Sequence, residues 1–303
     1  MATGIIAFGT VLVTGNNLVP SPAHGITAQF IFEFDIIYIY YYNCNSGYYV
    51  QMKKILGQNF LINDSISKKI VEFANFCQDD EIIEIGPGNG SLTDHLLNYH
   101  NKLTLLEIDL NLIKKLKTKY RNYNLKIINE DARFFQNTGD REYSIIGNLP
   151  YYASNKIIRN FLHQKNIKKM IFTIQKEVGE QITAPDGKKS FLSFLVQSIA
   201  DVKELLIIKS TEFKPIPKVD SMTVLIKPHF NNRISNDYVD FVRRGFSNPR
   251  KKIINSISMG LKVDNNEIKL LLNKTDIDHS LRPQHLTLSQ WENLYKNYKK
   301  NLC

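Results

Sequence analysis

The chain of 303 residues contains few cysteines, and their positions exclude two kinds of protein. Cys44, Cys77 and Cys303 are too scattered to indicate a disulfide framework or a zinc site, which suits a reducing compartment. No apolar stretch is long enough to span a bilayer, because residues 31–42 form a short stretch that contains two acids. The histidines have no ligand spacing either, so we expect a cytoplasmic protein without a metal or a membrane anchor.

Lysine and arginine are absent from residues 1–51, which contain only two acids, Glu33 and Asp35. A secretory signal begins with basic residues, so this segment does not match one. Ordinary composition begins at Met52, which is followed by Lys53 and Lys54. We predict that 1–51 is an atypical extension, either disordered or translated from a mis-assigned start, and that the working protein begins near Met52.

The net charge of +10 and the isoelectric point near 9.3 indicate a polyanionic partner. Lysine and arginine bind phosphates by displacing their counterions, so a nucleic acid is the natural candidate. A basic surface that is merely solvated is the alternative, and composition alone leaves it open.

Predicted strands and helices alternate through the middle of the chain. The strands are expected at 81–85, 103–108, 125–129, 143–147, 170–175 and 223–227, and the helices between them at 65–76, 92–97, 112–120, 156–162 and 190–200. Such alternation is typical of βαβ units and a doubly wound α/β sheet. Only helices are predicted after a linker at 228–232, so we expect a Rossmann-like domain over 52–230 and a small helical domain over 231–303.

A glycine-rich loop, Gly86-Pro87-Gly88-Asn89-Gly90, joins a predicted strand to a predicted helix. Glycines there let the backbone approach a ligand, and the helix supplies free N–H groups. Gly90 comes one residue too early for a dinucleotide loop. Glu107 ends the next strand, where a carboxylate can accept ribose hydroxyls, and Asp131 follows the third strand, where it could accept an adenine amino group. This set suggests S-adenosylmethionine; an ordinary tight turn with solvated acids is the alternative.

The sequence Asn148-Leu149-Pro150-Tyr151 follows the strand predicted at 143–147. It offers what an exocyclic amino group of a base requires. The Asn148 side-chain oxygen and the Pro150 carbonyl could each accept one amino hydrogen, and the Tyr151 ring could stack on the base. Phe213 is the candidate for the other face of that base. A turn-forming asparagine and a packed core tyrosine are the alternatives for these residues outside this context.

The chain resembles the ribosomal RNA adenine dimethyltransferases, most closely the bacterial enzymes for small-subunit RNA. The matching motifs extend from about residue 54 to 291, and occur in order at 58–61, 84–88, 107–109, 130–132, 148–151, 175–178, 213–221, 250–256 and 277–283. The resemblance implies transfer of two methyl groups to N6 of each of two adjacent adenosines near the 3′ end of small-subunit RNA. It implies a pre-30S particle as partner, and we expect a monomer.

The resemblance also implies which residues contact the cofactor S-adenosylmethionine: Asn59, Leu61, Gly86, Gly88, Glu107, Asp131 and Asn148. Two groups of cations are candidates for RNA phosphates. One is the arm formed by Lys53 and Lys54, and the other consists of Arg243, Arg244, Arg250, Lys251 and Lys252. A solvated helix face is the alternative for the second group, and the lysines at 114, 115, 117 and 119 are expected to be solvated.

Two other functions are compatible with the same motifs. One is methylation of large-subunit RNA, which would confer macrolide resistance; the 218–221 stretch and the long helical tail favour the small-subunit type. The other is a binding protein without turnover, such as an assembly or transcription factor. The intact Asn-Leu-Pro-Tyr sequence and Glu107 favour retained catalysis.

Overall fold

The computed structural model describes residues 58–98, 102–229 and 234–301, together with the backbone of three short strands nearer the N-terminus. These strands are Ile26–Glu33 (β1), Ile36–Asn43 (β2) and Lys53–Lys54 (β3), which pair antiparallel in that order. They belong to a unit, residues 1–56, that is separate from the rest. The described part of the expected extension is therefore a hairpin, and the start of the working chain near Met52 stays a prediction.

Residues 57–303 form the second unit, whose centre is a seven-stranded sheet. Its strands in chain order are Glu81–Ile85 (β5), Leu103–Glu107 (β6), Leu125–Asn129 (β7), Tyr143–Asn148 (β8), Ile167–Gln175 (β9), Ala200–Ile208 (β10) and Ser221–Pro228 (β12). A separate two-stranded sheet pairs Phe60–Leu61 (β4) with Phe213–Lys214 (β11).

The order of strands across the large sheet is β10-β12-β9-β8-β5-β6-β7. The five strands from β9 to β7 are parallel, and β12 is antiparallel to both of its neighbours. After β5 the chain moves outward to β6 and β7, then returns to place β8 on the other side of β5. This reversal opens a crevice at the carboxyl ends of β5 and β8, where open α/β sheets bind ligands.

Helices of the same unit cover the sheet or follow it in the chain. They are Asp64–Ala74 (α1), Thr93–Leu96 (α2), Leu110–Lys119 (α3), Ser154–Leu162 (α4), Lys176–Ile182 (α5), Phe191–Gln197 (α6), Asn236–Gly245 (α7), Ile253–Leu261 (α8), Asn265–Lys274 (α9) and Leu288–Asn301 (α10). Consecutive strand residues join different cores: Ile83 and Ile145 belong to one, Ile82 and Ile146 to the other. Neighbouring side chains in a strand point to opposite faces, so both faces of the sheet are buried.

The helices α7–α10 enclose a third core around Trp291, which is fully buried. Phe194 of α6 belongs to this core and contacts the Trp291 ring edge-on, with 6.4 Å between ring centroids. The sheet part and the helical part are therefore joined through shared packing and form one compact unit. The domain boundary predicted near 230 falls within residues 230–233, which lie outside the described ranges.

The helix α1 is capped by Asn63, whose side chain accepts the N–H groups of Ser65 and Ile66, and Asp64 supplies a favourable charge in the first turn. One local expectation was wrong. The strand β10 was missed, and its start at Ala200 was assigned to a helix. This edge strand is only partly buried and carries charges between its apolar residues, so its alternation is weak.

Candidate active site

The glycine loop after β5 adopts a backbone that side chains disfavour. Gly86, Gly88 and Gly90 have φ angles of +64°, +57° and +89°. A Cβ on Gly88 would also lie 2.9 Å from Cδ1 of Phe60, so the aromatic ring of β4 closes one side of the loop. Gly86 lies beside β8, because an added Cβ would be 3.7 Å from the backbone oxygen of Asn148. The loop and the Asn148 turn thus form the two sides of one crevice.

Glu107 ends β6 beside this loop, as predicted, and is 3% exposed. Its carboxylate accepts the N–H groups of Ile108 and Asp109 at 2.9 Å, and that of Gly88 at 3.4 Å. Burial raises the pKa of the Glu107 carboxyl above its ordinary value, although these N–H groups oppose the shift. A buried, oriented carboxylate at a strand end is suited to accept ribose hydroxyls.

A second buried carboxyl, Glu84, lies beneath the loop within β5. Its Oε2 accepts the Thr93 hydroxyl at 2.6 Å. Burial raises its pKa to about 8, and the nearby carboxylates of Asp94 and Glu107 act in the same direction. Glu84 is therefore largely protonated at neutral pH, and its hydrogen bond joins β5 to the start of α2.

The end of α3 holds the glycine loop from outside, which sequence reasoning did not foresee. The Tyr120 hydroxyl donates to Asp94 Oδ1 at 2.7 Å and lies 3.3 Å from the Gly90 carbonyl oxygen. Lys119 Nζ donates to the Asn89 carbonyl at 3.1 Å and to Asp94 Oδ2 at 2.6 Å. A Cβ on Gly90 would overlap the Tyr120 hydroxyl. Lys119 is exposed, as expected, and its ammonium group also contacts this loop.

Asp131 follows β7 as predicted, and its carboxylate is paired with the buried Arg133. Arg133 Nη2 lies 2.7 Å from Oδ2, and its Nε contacts both carboxylate oxygens at 3.0 and 3.1 Å. The ion pair fixes the orientation of Asp131 but competes for its lone pairs. The predicted contact of Asp131 with an adenine amino group stays a prediction.

Asn148 lies at the end of β8 and contacts the segment before β4. Its Nδ2 donates to the Asn59 carbonyl oxygen at 3.0 Å. A carbonyl oxygen can only accept, so the amide nitrogen must face Asn59 and the Oδ1 atom is left to accept another hydrogen. The predicted residues Asn59 and Asn148 are therefore brought together, although 89 positions separate them.

The expected role of the Pro150 carbonyl conflicts with its contacts. This oxygen accepts the N–H groups of Ala153 and Ser154, each at 3.0 Å, so both of its lone pairs are engaged in starting α4. The Leu149 carbonyl, one residue earlier in the turn, accepts no hydrogen bond from any described residue. The sequence alone could not show that this carbonyl begins the helix, so the predicted role of Pro150 lacks a free acceptor.

Tyr151 is partly buried, and its hydroxyl lies 2.7 Å from the Ser221 Oγ atom of β12. Burial raises the pKa of this hydroxyl, so it stays protonated at neutral pH. The hydrogen bond holds the ring from its far end, as a stacking surface requires.

Phe213 does not offer the second stacking face that was expected. Its ring is 1% exposed and belongs to a core that includes Leu61, which is directly opposite in the β4–β11 pair. A ring packed on all sides has no face free for a base. The predicted cofactor residue Leu61 is buried in the same core, so any contact through its side chain stays a prediction.

The predicted RNA-binding cations fall into distinct environments. Arg243 and Arg244 both form ion pairs with Asp240 on the same face of α7, which offsets part of their charge. Arg250, Lys251 and Lys252 are exposed at the turn before α8, and within the described ranges no carboxylate forms an ion pair with them. Lys53 and Lys54 form β3 of the separate N-terminal unit, and their side chains lie outside the described residues.

The described ranges contain no cluster of three or more residues suited to hold a metal ion. They also contain no helix with the length and apolar character needed to cross a membrane.

The chain matches the family model described as "Ribosomal RNA adenine dimethylase" over residues 50–300. It is 36% identical over 262 residues to the "Ribosomal RNA small subunit methyltransferase A" of Fusobacterium nucleatum, covering 82% of this chain and 97% of the relative. It is 37% identical over 249 residues to the protein of that name from Borreliella burgdorferi, covering 79% and 86%. The crystal structure of a dimethyladenosine transferase from Plasmodium falciparum shares the fold, with a TM-score of 0.69, 24% identity, and coverage of 80% of this chain and 98% of that one.

A glycine loop and a buried strand-end carboxylate at the switch point of a mostly parallel sheet define a methyltransferase with a Rossmann-like fold that uses S-adenosylmethionine. The Asn148-Leu149-Pro150-Tyr151 sequence, here called the asparagine turn, lies across the crevice from the glycine loop. Its acceptors and its ring are compatible with a base as the group that is methylated. The chain belongs to the ribosomal RNA adenine dimethylase family.

Proposed function

We propose that this protein transfers methyl groups from S-adenosylmethionine to N6 of two adjacent adenosines near the 3′ end of small-subunit ribosomal RNA, giving N6,N6-dimethyladenosine. The curated relatives bear the small-subunit name, which favours this RNA over the large-subunit alternative. The single observation that carries the chemistry is the hydrogen bond from the Asn148 amide nitrogen to Asn59, which leaves the amide oxygen to accept another hydrogen. We infer a monomer that acts on a pre-30S particle in the cytoplasm.

The crevice fits the cofactor by its set of donors and acceptors. The Glu107 carboxylate would accept ribose hydroxyls, and the backbone at Gly86 and Gly88 would lie against the rest of the molecule, since no side chains intervene. Asn59, Leu61, Asp131 and the backbone of Asn148, which lies beside Gly86, complete the proposed contacts. When bound, S-adenosylmethionine supplies an electrophilic methyl group on a positively charged sulfur.

The residues of the asparagine turn would act on the target amino group, which is a weak nucleophile because it is conjugated with the ring of the base. Asn148 Oδ1 and the Leu149 carbonyl each accept one amino hydrogen, which draws the nitrogen toward tetrahedral geometry and orients it. Leu149 replaces Pro150 in this role because the Pro150 carbonyl already accepts two N–H groups. No strong base would be required, because methylation would move the positive charge from the sulfur to the amino nitrogen, whose N–H is then acidic enough to lose its proton to water.

The Tyr151 ring is the proposed stacking surface for the target base, which must leave its own stack to reach the turn. Stacking on an aromatic ring contributes about 1–3 kcal/mol per base. The hydrogen bond to Ser221 holds the ring in place before the base arrives, so the ring loses little conformational freedom on binding. Phe213 is left out of this proposal because its ring is packed in the core.

The experiment that tests this function incubates the full chain with labelled S-adenosylmethionine and unmethylated small subunits, naked small-subunit RNA, or large subunits. Digestion to nucleosides then identifies the product. We expect N6,N6-dimethyladenosine from small-subunit RNA. Label on another base or atom, label confined to large subunits, or RNA binding without any turnover would each contradict the proposal.

The variant Asn148→Ala isolates the amide. We expect its kcat to fall by at least 100-fold, while its Kd for the cofactor changes less than about threefold, because positioning of the nucleophile contributes mainly to the transition state. Asn122→Ala, in an exposed turn, is the matched control and is expected to behave as wild type. A near-normal kcat in Asn148→Ala would refute the role of this amide.

A further inference from the structure

A loop of residues 214–220, here called the mouth loop, begins beside the segment that holds Asn148 and ends at the strand that holds Tyr151. At its start, Phe213 and Lys214 pair with Leu61 and Phe60, directly after the Asn59 carbonyl that holds Asn148. At its end, Ser221 contacts the Tyr151 hydroxyl at 2.7 Å. The mouth loop therefore lies beside the site proposed for the target base.

Hydrogen bonds and an ion pair are formed at the two ends of the mouth loop. Asp220 accepts the backbone N–H of Ser210 at 2.9 Å and the Lys209 ammonium at 3.2 Å. Its carbonyl oxygen accepts the N–H of Lys176 at 3.0 Å. At the other end, Glu212 accepts the side-chain N–H of Asn63 at 2.7 Å. These contacts hold the two ends of the loop in position.

The mouth loop exposes apolar and basic side chains side by side. Ile216 is 66% exposed and Val219 is 44% exposed, whereas Pro217 between them is buried. Lys214 and Lys218 are exposed, and within the described part of the chain no carboxylate forms an ion pair with either. Large apolar side chains with unpaired cations beside them suit a nucleic-acid strand, which offers apolar base faces and phosphates together.

We propose that the mouth loop binds the RNA strand next to the target adenosine, with Ile216 filling the space that the extruded base leaves and Lys214 and Lys218 contacting adjacent phosphates. Apolar side chains that insert between bases stabilise unstacked nucleic acid in this way. The inference rests on the proposed function, because it assumes that the base enters the asparagine turn. It separates two roles on one loop: Ile216 promotes extrusion, and the lysines contribute affinity.

The test uses the full chain and an RNA hairpin with 2-aminopurine next to the target adenosine, a probe whose fluorescence rises when its neighbour leaves the stack. We expect Ile216→Ser to lose most of this rise and to lower kcat for the unmodified hairpin about tenfold, while its Kd for RNA changes less than threefold. The control Leu270→Ser alters a side chain that is 69% exposed on α9, and it is expected to match wild type.

The lysines are tested by the double variant Lys214→Gln, Lys218→Gln. We expect its Kd for the hairpin to rise about tenfold at moderate salt, and the slope of log affinity against log salt to fall by about two. The control changes Lys203 and Lys269 to glutamine, two exposed lysines outside the mouth loop.

The outcomes distinguish this inference from the function on which it rests. If wild type methylates adenine N6 but Ile216→Ser gives the same fluorescence rise and kcat as Leu270→Ser, the role of Ile216 is refuted. If the two lysine pairs give equal salt slopes, the phosphate contacts are refuted. If wild type forms no methylated adenine in any small-subunit RNA, the proposed function is refuted, and the inference that rests on it is refuted as well.

Discussion

Replacing Gly90 with alanine measures how firmly the end of α3 holds the cofactor loop. The substitution has two costs. An L-residue at φ +89° is strained by about 1–2 kcal/mol. The new Cβ would also overlap the Tyr120 hydroxyl, which must move and break its hydrogen bond to the Asp94 carboxylate, at about 1.5–3 kcal/mol for a bond to a charged group. We expect a total loss of about 2.5–5 kcal/mol in the free energy of unfolding.

Gly187 provides a control for the cost of backbone strain alone. Gly187 has φ +87°, and a Cβ there would meet nothing within 4 Å. Gly187→Ala should therefore show only the strain, about 1–2 kcal/mol. In the background Tyr120→Phe the overlapping hydroxyl is gone, so Gly90→Ala should cost much less, although the ring carbon remains 3.0 Å from the new Cβ.

Urea unfolding of the wild type, the three single variants and the double variant Gly90→Ala, Tyr120→Phe gives these free energies directly. The double-mutant cycle should show a coupling of about 1.5–3 kcal/mol between the two positions. Calorimetry with S-adenosylmethionine should show weaker binding by Gly90→Ala than by Gly187→Ala. Equal losses of stability in those two variants, or additive effects in the cycle, would refute the overlap as the cause.

The remaining predictions concern pH and RNA affinity. Burial raises the pKa of Glu84 from 4.5 to about 8, so the folded state keeps a proton that the unfolded state releases, and this group's contribution to stability falls as pH rises from about 4.5 to 8. Glu84→Gln should flatten the decline seen by urea unfolding between pH 5.5 and 7.5; an unchanged slope would contradict a protonated Glu84. Arg250→Gln should lower RNA affinity and reduce the salt slope by about one. Arg243→Gln should change the affinity and the slope less, because Asp240 already pairs with Arg243. Equal effects of the two variants would contradict the conclusion that this ion pair offsets part of the charge of Arg243.

Local pattern was enough to predict much of the sheet. The bounds of β5 and β7 agree with the expected ones, and β8 is one residue longer, ending on Asn148 itself. Each of these strands contains adjacent apolar residues, Ile82-Ile83, Ile127-Ile128 and Ile145-Ile146, which is typical of a sheet that has helices on both faces. The edge strand β10 has three charged residues among its first five and was missed, its first residue having been assigned to the preceding helix. The late strand expected at 223–227 is β12, although its antiparallel direction could not be read from its composition.

Side-chain roles were harder to predict, because they depend on contacts between distant residues. Phe213 was expected to be open to a base, but its pairing with β4 places it in the core. Tyr120 lies 30 positions from Gly90, and nothing near either residue in the chain indicates that its hydroxyl fills the space above the glycine. The pairing of Arg133 with Asp131 is local, two residues apart, and could have been anticipated from the charges alone.

The sequence by itself determined the class of fold, the family and the residue types of the site, because glycines at a turn, an acid at a strand end and an Asn-Leu-Pro-Tyr turn are each defined by local chemistry. Only the tertiary structure decided which atoms are available. The Asn59 carbonyl orients the Asn148 amide, α4 engages the Pro150 carbonyl and β4 covers Phe213. The physical reason is that each lone pair or ring face can be engaged only once, and the partner that engages it comes from a distant part of the chain.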